Sequence, residues 1–108
     1  MSVDKILIVD DNKNICDLLR IYLEKEGYST IISYNGEEAM VKFNALNPNI
    51  VLLDIMLPGM DGWQICREIR KKSEVPIIIV TSRDSEMDEL MSINLGADDF
   101  ITKPYNTQ

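Results

Sequence analysis

Residues 50–62 read IVLLDIMLPGMDG, and the position that decides the fold is Asp54. Four apolar residues, Ile50 to Leu53, followed by an acid describe a strand that stays buried until its last position. One Asp at a strand end is ordinary turn chemistry, so what matters is whether other strands stop the same way. They do. KILIVDDN (residues 5–12) carries Ile6 to Val9 into Asp10 and Asp11, and PIIIVTSR (residues 76–83) carries Ile77 to Val80 into Thr81.

Helical patterns lie between these strands. Ile15, Leu18, Leu19, Tyr22 and Leu23 recur at i, i+3, i+4, i+7, i+8, and Gly27 follows as a C-terminal cap. Asn35 with Glu38, ahead of Ala39, Met40, Phe43 and Leu46, predicts a second helix, and Asp61 with Gln64, ahead of Ile65 and Ile69, a third. A fourth starts near Ser85, includes Asp88 and ends at Gly96, while 29–33 and 99–102 supply the remaining strands. Alternating βα units with continuously apolar strands give a parallel sheet covered by helices on both faces, a doubly wound α/β fold. In such sheets ligands bind beyond the carboxyl ends of the strands, where the strand order reverses. If the first and third strands are neighbours there, Asp10, Asp11 and Asp54 meet in one crevice, with Thr81 and Lys103 further along the edge.

The 108 residues suit one domain, since single domains are commonly about 100 to 150 residues. Hydrophobic residues at 45% and charged residues at 27% are ordinary globular values and disfavour disordered, collagen-like and membrane classes. No apolar run approaches the roughly 18 residues of a membrane span, and the start lacks a signal-peptide pattern, which predicts a cytoplasmic protein. Cys16 and Cys66 fit no metal motif and there is no His, so both read as buried thiols. A net charge of −7 argues against direct contact with nucleic acid or an anionic membrane and suits a cation or a basic partner.

Three carboxylates in one crevice repel one another unless a cation neutralises them. Oxygen ligands alone, with no His and a free Lys nearby, favour Mg²⁺ over zinc or copper. Mg²⁺ typically takes one or two carboxylates with waters and a phosphate oxygen. An Asp can itself attack phosphorus to give an aspartyl phosphate. Mg²⁺ and Lys103 would offset the charge on the equatorial oxygens of a loose transition state.

Taken together, ILIVDDN (6–12), LLDIMLPGMDGWQICREIR (52–70), PIIIVTSR (76–83) and LGADDFITKPY (95–105) make the chain resemble a response regulator receiver domain, the phosphoacceptor half of bacterial two-component systems. The resemblance covers residues 4–106 and points to the CheY-like superfamily, OmpR/PhoB-like branch. It implies a flavodoxin-like five-stranded sheet in the order 2-1-3-4-5. It also implies phosphorylation of Asp54 by a sensor histidine kinase. Mg²⁺ would be held by Asp11, Asp54 and the backbone carbonyl of Met56, with Asp10 helping through water. Lys103 would contact the phosphoryl group, Thr81 would turn its hydroxyl towards it, and Phe100 would be the switch aromatic where many relatives of that branch carry Tyr. A homodimer through the face of the fourth helix and fifth strand is a further implication. There, Glu89 stands where the branch often has a basic residue.

By the same resemblance the chain is a phosphoacceptor regulator, with only self-catalysed phosphoryl transfer and autodephosphorylation as activity. Its output is expected to be transcription through a DNA-binding domain outside these residues; a stand-alone single-domain regulator is the alternative. Because KPYNTQ (103–108) ends where a fifth helix should begin, residues 1–108 are expected to be one receiver domain truncated before its last helix. Two rival classes fit less well. A haloacid-dehalogenase-like phosphatase would place a second acid two residues after the nucleophile, where Met56 stands, and a nucleotide- or flavin-binding module would need a Gly/Ser/Thr-rich loop in place of DDNKN (10–14). Trp63 has no role that the sequence assigns.

Overall fold

Three helices begin where the sequence supplies a side-chain acceptor for their unpaired amides. Asn12 Oδ1 accepts from Asn14 N and Ile15 N at 2.9 and 3.2 Å, and Asn35 Oδ1 accepts from Glu38 N at 2.8 Å. Asp61 and Gln64 form a reciprocal capping box. The computed structural model describes residues 4–81 and 86–102, apart from the side chains of 86–88 and 102. Its elements run β1 (Lys5–Val9), α1 (Lys13–Lys25), β2 (Ser29–Ser33), α2 (Gly36–Leu46), β3 (Ile50–Leu53), α3 (Gly62–Arg70), β4 (Ile77–Thr81), α4 (Glu86–Asn94) and β5 (Asp99–Thr102). Gly27 at φ 100° and Gly96 at φ 105° take the left-handed turns that end α1 and α4.

The five strands form one parallel sheet in the order β2-β1-β3-β4-β5. This is the flavodoxin-like order expected from the sequence, with four helices among the described residues. On one face, Leu7, Val9, Val51, Leu53, Ile77 and Ile79 pack against α2 and α3 through Ala39, Phe43, Ile65, Cys66 and Ile69. On the other face, Ile6 and Ile8 are buried with Cys16 of α1, flanked by partly buried Leu19, Leu23, Ile32 and Leu52.

The first helix departs from its expected face. Periodicity puts Leu18 and Tyr22 in the buried stripe, yet they are 57% and 63% exposed, and Cys16 is fully buried in their stead. The helix is rotated so that Cys16, Leu19 and Leu23 meet the sheet. A small Cys lets α1 lie close, and its Sγ donates to Asp10 O at 3.3 Å, giving a buried carbonyl at the end of β1 a partner. The larger Leu18 and Tyr22 would hold the helix further off.

Candidate functional site

Register carries the acids together before any side chain is considered. Val9 pairs with Leu53 and with Ser33, and the next amides continue both ladders: Asp54 N donates to Val9 O at 3.0 Å and Asp10 N to Ser33 O at 3.1 Å. Strand order reverses between β1 and β3, so Asp10 and Asp54 stand side by side at the mouth of the switch-point crevice. One carboxylate oxygen from each of Asp10, Asp11 and Asp54 lies within 4.8 Å of the others. Asp10 and Asp54 are buried and Asp11 is exposed. Beneath the two buried acids the crevice is walled by Leu19, Leu52 and Val80, an apolar floor on which charge is poorly screened.

Local hydrogen bonds fix the carboxylates. Asp10 Oδ1 accepts from Asn12 N at 2.9 Å, and Asn12 also caps α1. The acidic loop is therefore tied to the positive end of a helix dipole, which offsets part of the carboxylate repulsion. Asp54 Oδ1 accepts from Met56 N at 3.1 Å. The loop after Asp54 then turns back, with Gly62 N donating to Ile55 O at 3.0 Å. A Cβ on Gly62 would sit 2.2 Å from Asp54 O and 2.7 Å from Ile55 Cα. Only a residue without a side chain lets α3 begin directly against the backbone of Asp54.

The donor set fits a hard divalent cation. It consists of oxygens at one strand-end crevice, with no sulfur or imidazole, and two of the three carboxylates are buried facing each other. The backbone of Met56 is bonded to Asp54, and the Met56 side chain is exposed.

Thr81 ends β4 and is fully buried. Ile79 pairs with Phe100, and Thr81 lies two residues beyond Ile79, so alternation puts Thr81 and Phe100 on the same face of the sheet. Phe100 is half-buried against the larger core. Glu89 is exposed on α4. Lys103 lies outside the described residues, as do Pro104 and the rest of KPYNTQ.

Two positioning residues escaped the sequence reading. Asn12 was legible, as an Asn directly before a helical pattern. Gly62 carried no local signal, because the backbone it must clear is eight residues away and is brought there only by the fold.

The sequence family described as the response regulator receiver domain matches residues 6–108. The BeF₃-activated N-terminal receiver domain of RstA from Klebsiella pneumoniae superposes with a TM-score of 0.92 at 36% identity, covering 96% of this chain and 89% of that one. A CheY-like response regulator receiver domain protein from Methanospirillum hungatei gives 0.91 at 36% identity, covering 97% and 85%. A two-component response regulator from Clostridium difficile gives 0.92 at 37% identity, covering 95% and 85%.

Proposed function

The chain belongs to the response regulator receiver domain family, and from that premise we propose that Asp54 is its phosphoacceptor, working with Mg²⁺. Membership implies signalling through a phosphoaspartate. The observation that carries the residue assignment is the convergence of the Asp10, Asp11 and Asp54 carboxylates at the β1–β3 crevice. Asp10, Asp11, Asp54 and the Met56 carbonyl would hold the ion. When bound, Mg²⁺ would offset the charge of the phosphoryl oxygens and of the carboxylates themselves.

The chain's own residues set the geometry. An oxygen of Asp54 bonds to phosphorus as the bond to the donor's imidazole nitrogen breaks, the donor being the phosphohistidine of a sensor kinase. The Met56 amide orients the Asp54 carboxylate. Lys103 pairs with the transferred group. The Thr81 hydroxyl follows that group, and Phe100, on the same face of the sheet, follows Thr81. The exposed side chain at Met56, where a phosphatase of the haloacid-dehalogenase type would carry its acid/base, supports a regulator rather than a turnover enzyme.

The readout face is α4 with β5, where Leu90, Ile93 and Ile101 are exposed and could meet a second copy. The output is transcription through a further DNA-binding domain, and the setting is the cytoplasm. The part of this that the described residues bear on is that none of their helices is long and apolar enough to cross a membrane.

Incubation with acetyl phosphate and Mg²⁺, followed by intact-mass measurement, tests the assignment. One hydroxylamine-labile phosphoryl group is expected on the wild type, and none on Asp54→Asn. Equal labelling of Asp54→Asn would remove the assignment.

A further inference from the structure

At the rim of the carboxylate crevice, on the side of β2, stands a cation that no carboxylate holds. Lys13 opens α1 two residues after Asp11, yet among the described residues it makes no ion pair. Its ammonium lies over the ring of Tyr34, with Nζ 5.5 Å from the ring centre. Arg20, Lys42, Arg70 and Lys71, by contrast, each pair with a carboxylate at 2.8 to 3.8 Å.

The sheet places Tyr34 beside the acids. It follows Ser33, whose carbonyl accepts from Asp10 N at 3.1 Å, and neighbouring strands lie about 4.8 Å apart. The backbones of Tyr34 and Asp10 therefore run side by side. The ring packs against the cluster of Ile6, Ile8 and Cys16, and Ile8 also lines the crevice of Asp10 and Asp54. The main chain at Tyr34 is fixed as well, because Tyr34 N donates to Glu38 Oε1 at 3.0 Å and Glu38 N in turn to Asn35 Oδ1 at 2.8 Å. A half-buried ring on a fixed backbone is a preorganised seat for the exposed Lys13.

Two fields pull Lys13 off that ring. An ammonium at the first position of a helix faces the positive end of the dipole. Three carboxylates, with oxygens within 4.8 Å of one another, stand close by. An exposed ion pair is weak, however, and a cation on an aromatic face is of similar strength, so the ring is enough to decide where the ammonium rests. The choice matters to the acids. A Lys13 paired with Asp11 would have to be displaced before that carboxylate could meet another cation, and the apparent affinity for that cation would fall accordingly.

We propose that the Tyr34 ring holds the Lys13 ammonium away from Asp10, Asp11 and Asp54, and so keeps these carboxylates open to Mg²⁺. This rests on Mg²⁺ binding at that cluster. Tyr34 and Lys13 are then positioning residues that set the affinity of the site without touching the ion.

Titration calorimetry with MgCl₂ alone, at one moderate ionic strength, reads the affinities of the wild type, Tyr34→Phe, Tyr34→Leu, Lys13→Met and the double variant Lys13→Met/Tyr34→Leu. Tyr34→Phe keeps the ring and should match the wild type. Tyr34→Leu releases Lys13 to Asp11 and should bind about 2- to 4-fold more weakly. Lys13→Met should bind more tightly by less than about 2-fold, because the parked charge is partly screened. In the double variant the loss caused by Tyr34→Leu should vanish. A loss that persists there comes from the altered sheet edge and overturns the proposal, as does an unchanged affinity in Tyr34→Leu; either result leaves the ion site standing. If Tyr34→Leu does not fold, the ring current in the wild type decides: the Lys13 ε-methylene protons should be shifted upfield with and without Mg²⁺, and ordinary shifts overturn the proposal. No Mg²⁺ binding by the wild type, with Asp54→Asn as the matched control, overturns both the proposal and the ion site.

Discussion

The two faces of the sheet are built to different densities. The face under α2 and α3 is a continuous buried cluster of strand and helix side chains, and two glycines, Gly36 and Gly62, bring backbone within 2.5 Å of where a Cβ would stand. The face under α1 rests on Ile6, Ile8 and Cys16, with half-buried neighbours, and leaves Leu18, Ile21 and Tyr22 of the helix exposed. The carboxylates sit on the rim where the two faces meet. The comparison separates two tasks: the dense face fixes where Asp54 is, and the thin one leaves surface available for contact.

The largest contrast should come from substitutions that strike each face. Gly62→Ala forces a methyl into the backbone of Asp54 and Ile55 and should cost about 3 kcal/mol. Leu18→Ala should stay within about 0.5 kcal/mol. Urea unfolding of the two variants beside the wild type measures both, and equal losses would erase the distinction between the faces.

The rim is probed by Mg²⁺. Saturation at 100 times its dissociation constant should raise stability by about 2.7 kcal/mol. Asp11→Asn should lose most of that gain while becoming more stable without the ion, because one of three mutually repelling charges is gone. Thermal melts with and without Mg²⁺ decide the matter, and an Mg²⁺ response retained in full by Asp11→Asn removes that residue from the ion site.

The smallest effect lies in the dense face. Burial raises the Cys66 thiol above its ordinary value of 9.0, with Arg70 opposing and Asp98 adding. The folded state thus holds the proton more tightly than the unfolded chain. That contribution is complete below the ordinary thiol value and is lost as pH rises from there through the folded value. Unfolding midpoints taken from neutral to alkaline pH should therefore fall more steeply for the wild type than for Cys66→Ala. Parallel slopes would mean that the thiol is less enclosed than the packing indicates.

Much of this was legible because strand burial writes itself into runs of apolar residues. The strands at 29–33 and 99–102 are found at their expected bounds. The caps at Asn35 and Asp61 were readable because a cap is a local interaction between residues three apart. The three acids were readable because each ends a strand, and parallel order then brings the ends together.

What escaped depends on long-range packing. The rotation of α1 towards Cys16 is set by how closely the helix can approach the sheet, a distance that periodicity does not encode. The Trp63 side chain donates to the hydroxyl of Ser92, 29 residues away, and two such residues carry no joint signal in a single chain. Beyond Thr81, Phe100 is found on the same sheet face, and Lys103 lies outside the described residues.

The hydrogen bonds from Asp54 N to Val9 O and from Asp10 N to Ser33 O have a consequence for redesign. Main-chain ladders, indifferent to side-chain identity, hold these two acids in place. The outer surfaces of α1 and α4 can therefore be rewritten extensively, as a designer retargeting the protein to a new partner would do, and the chemistry need not be rebuilt each time. Chemistry and recognition can diverge independently in this scaffold, because they draw on different parts of the polypeptide.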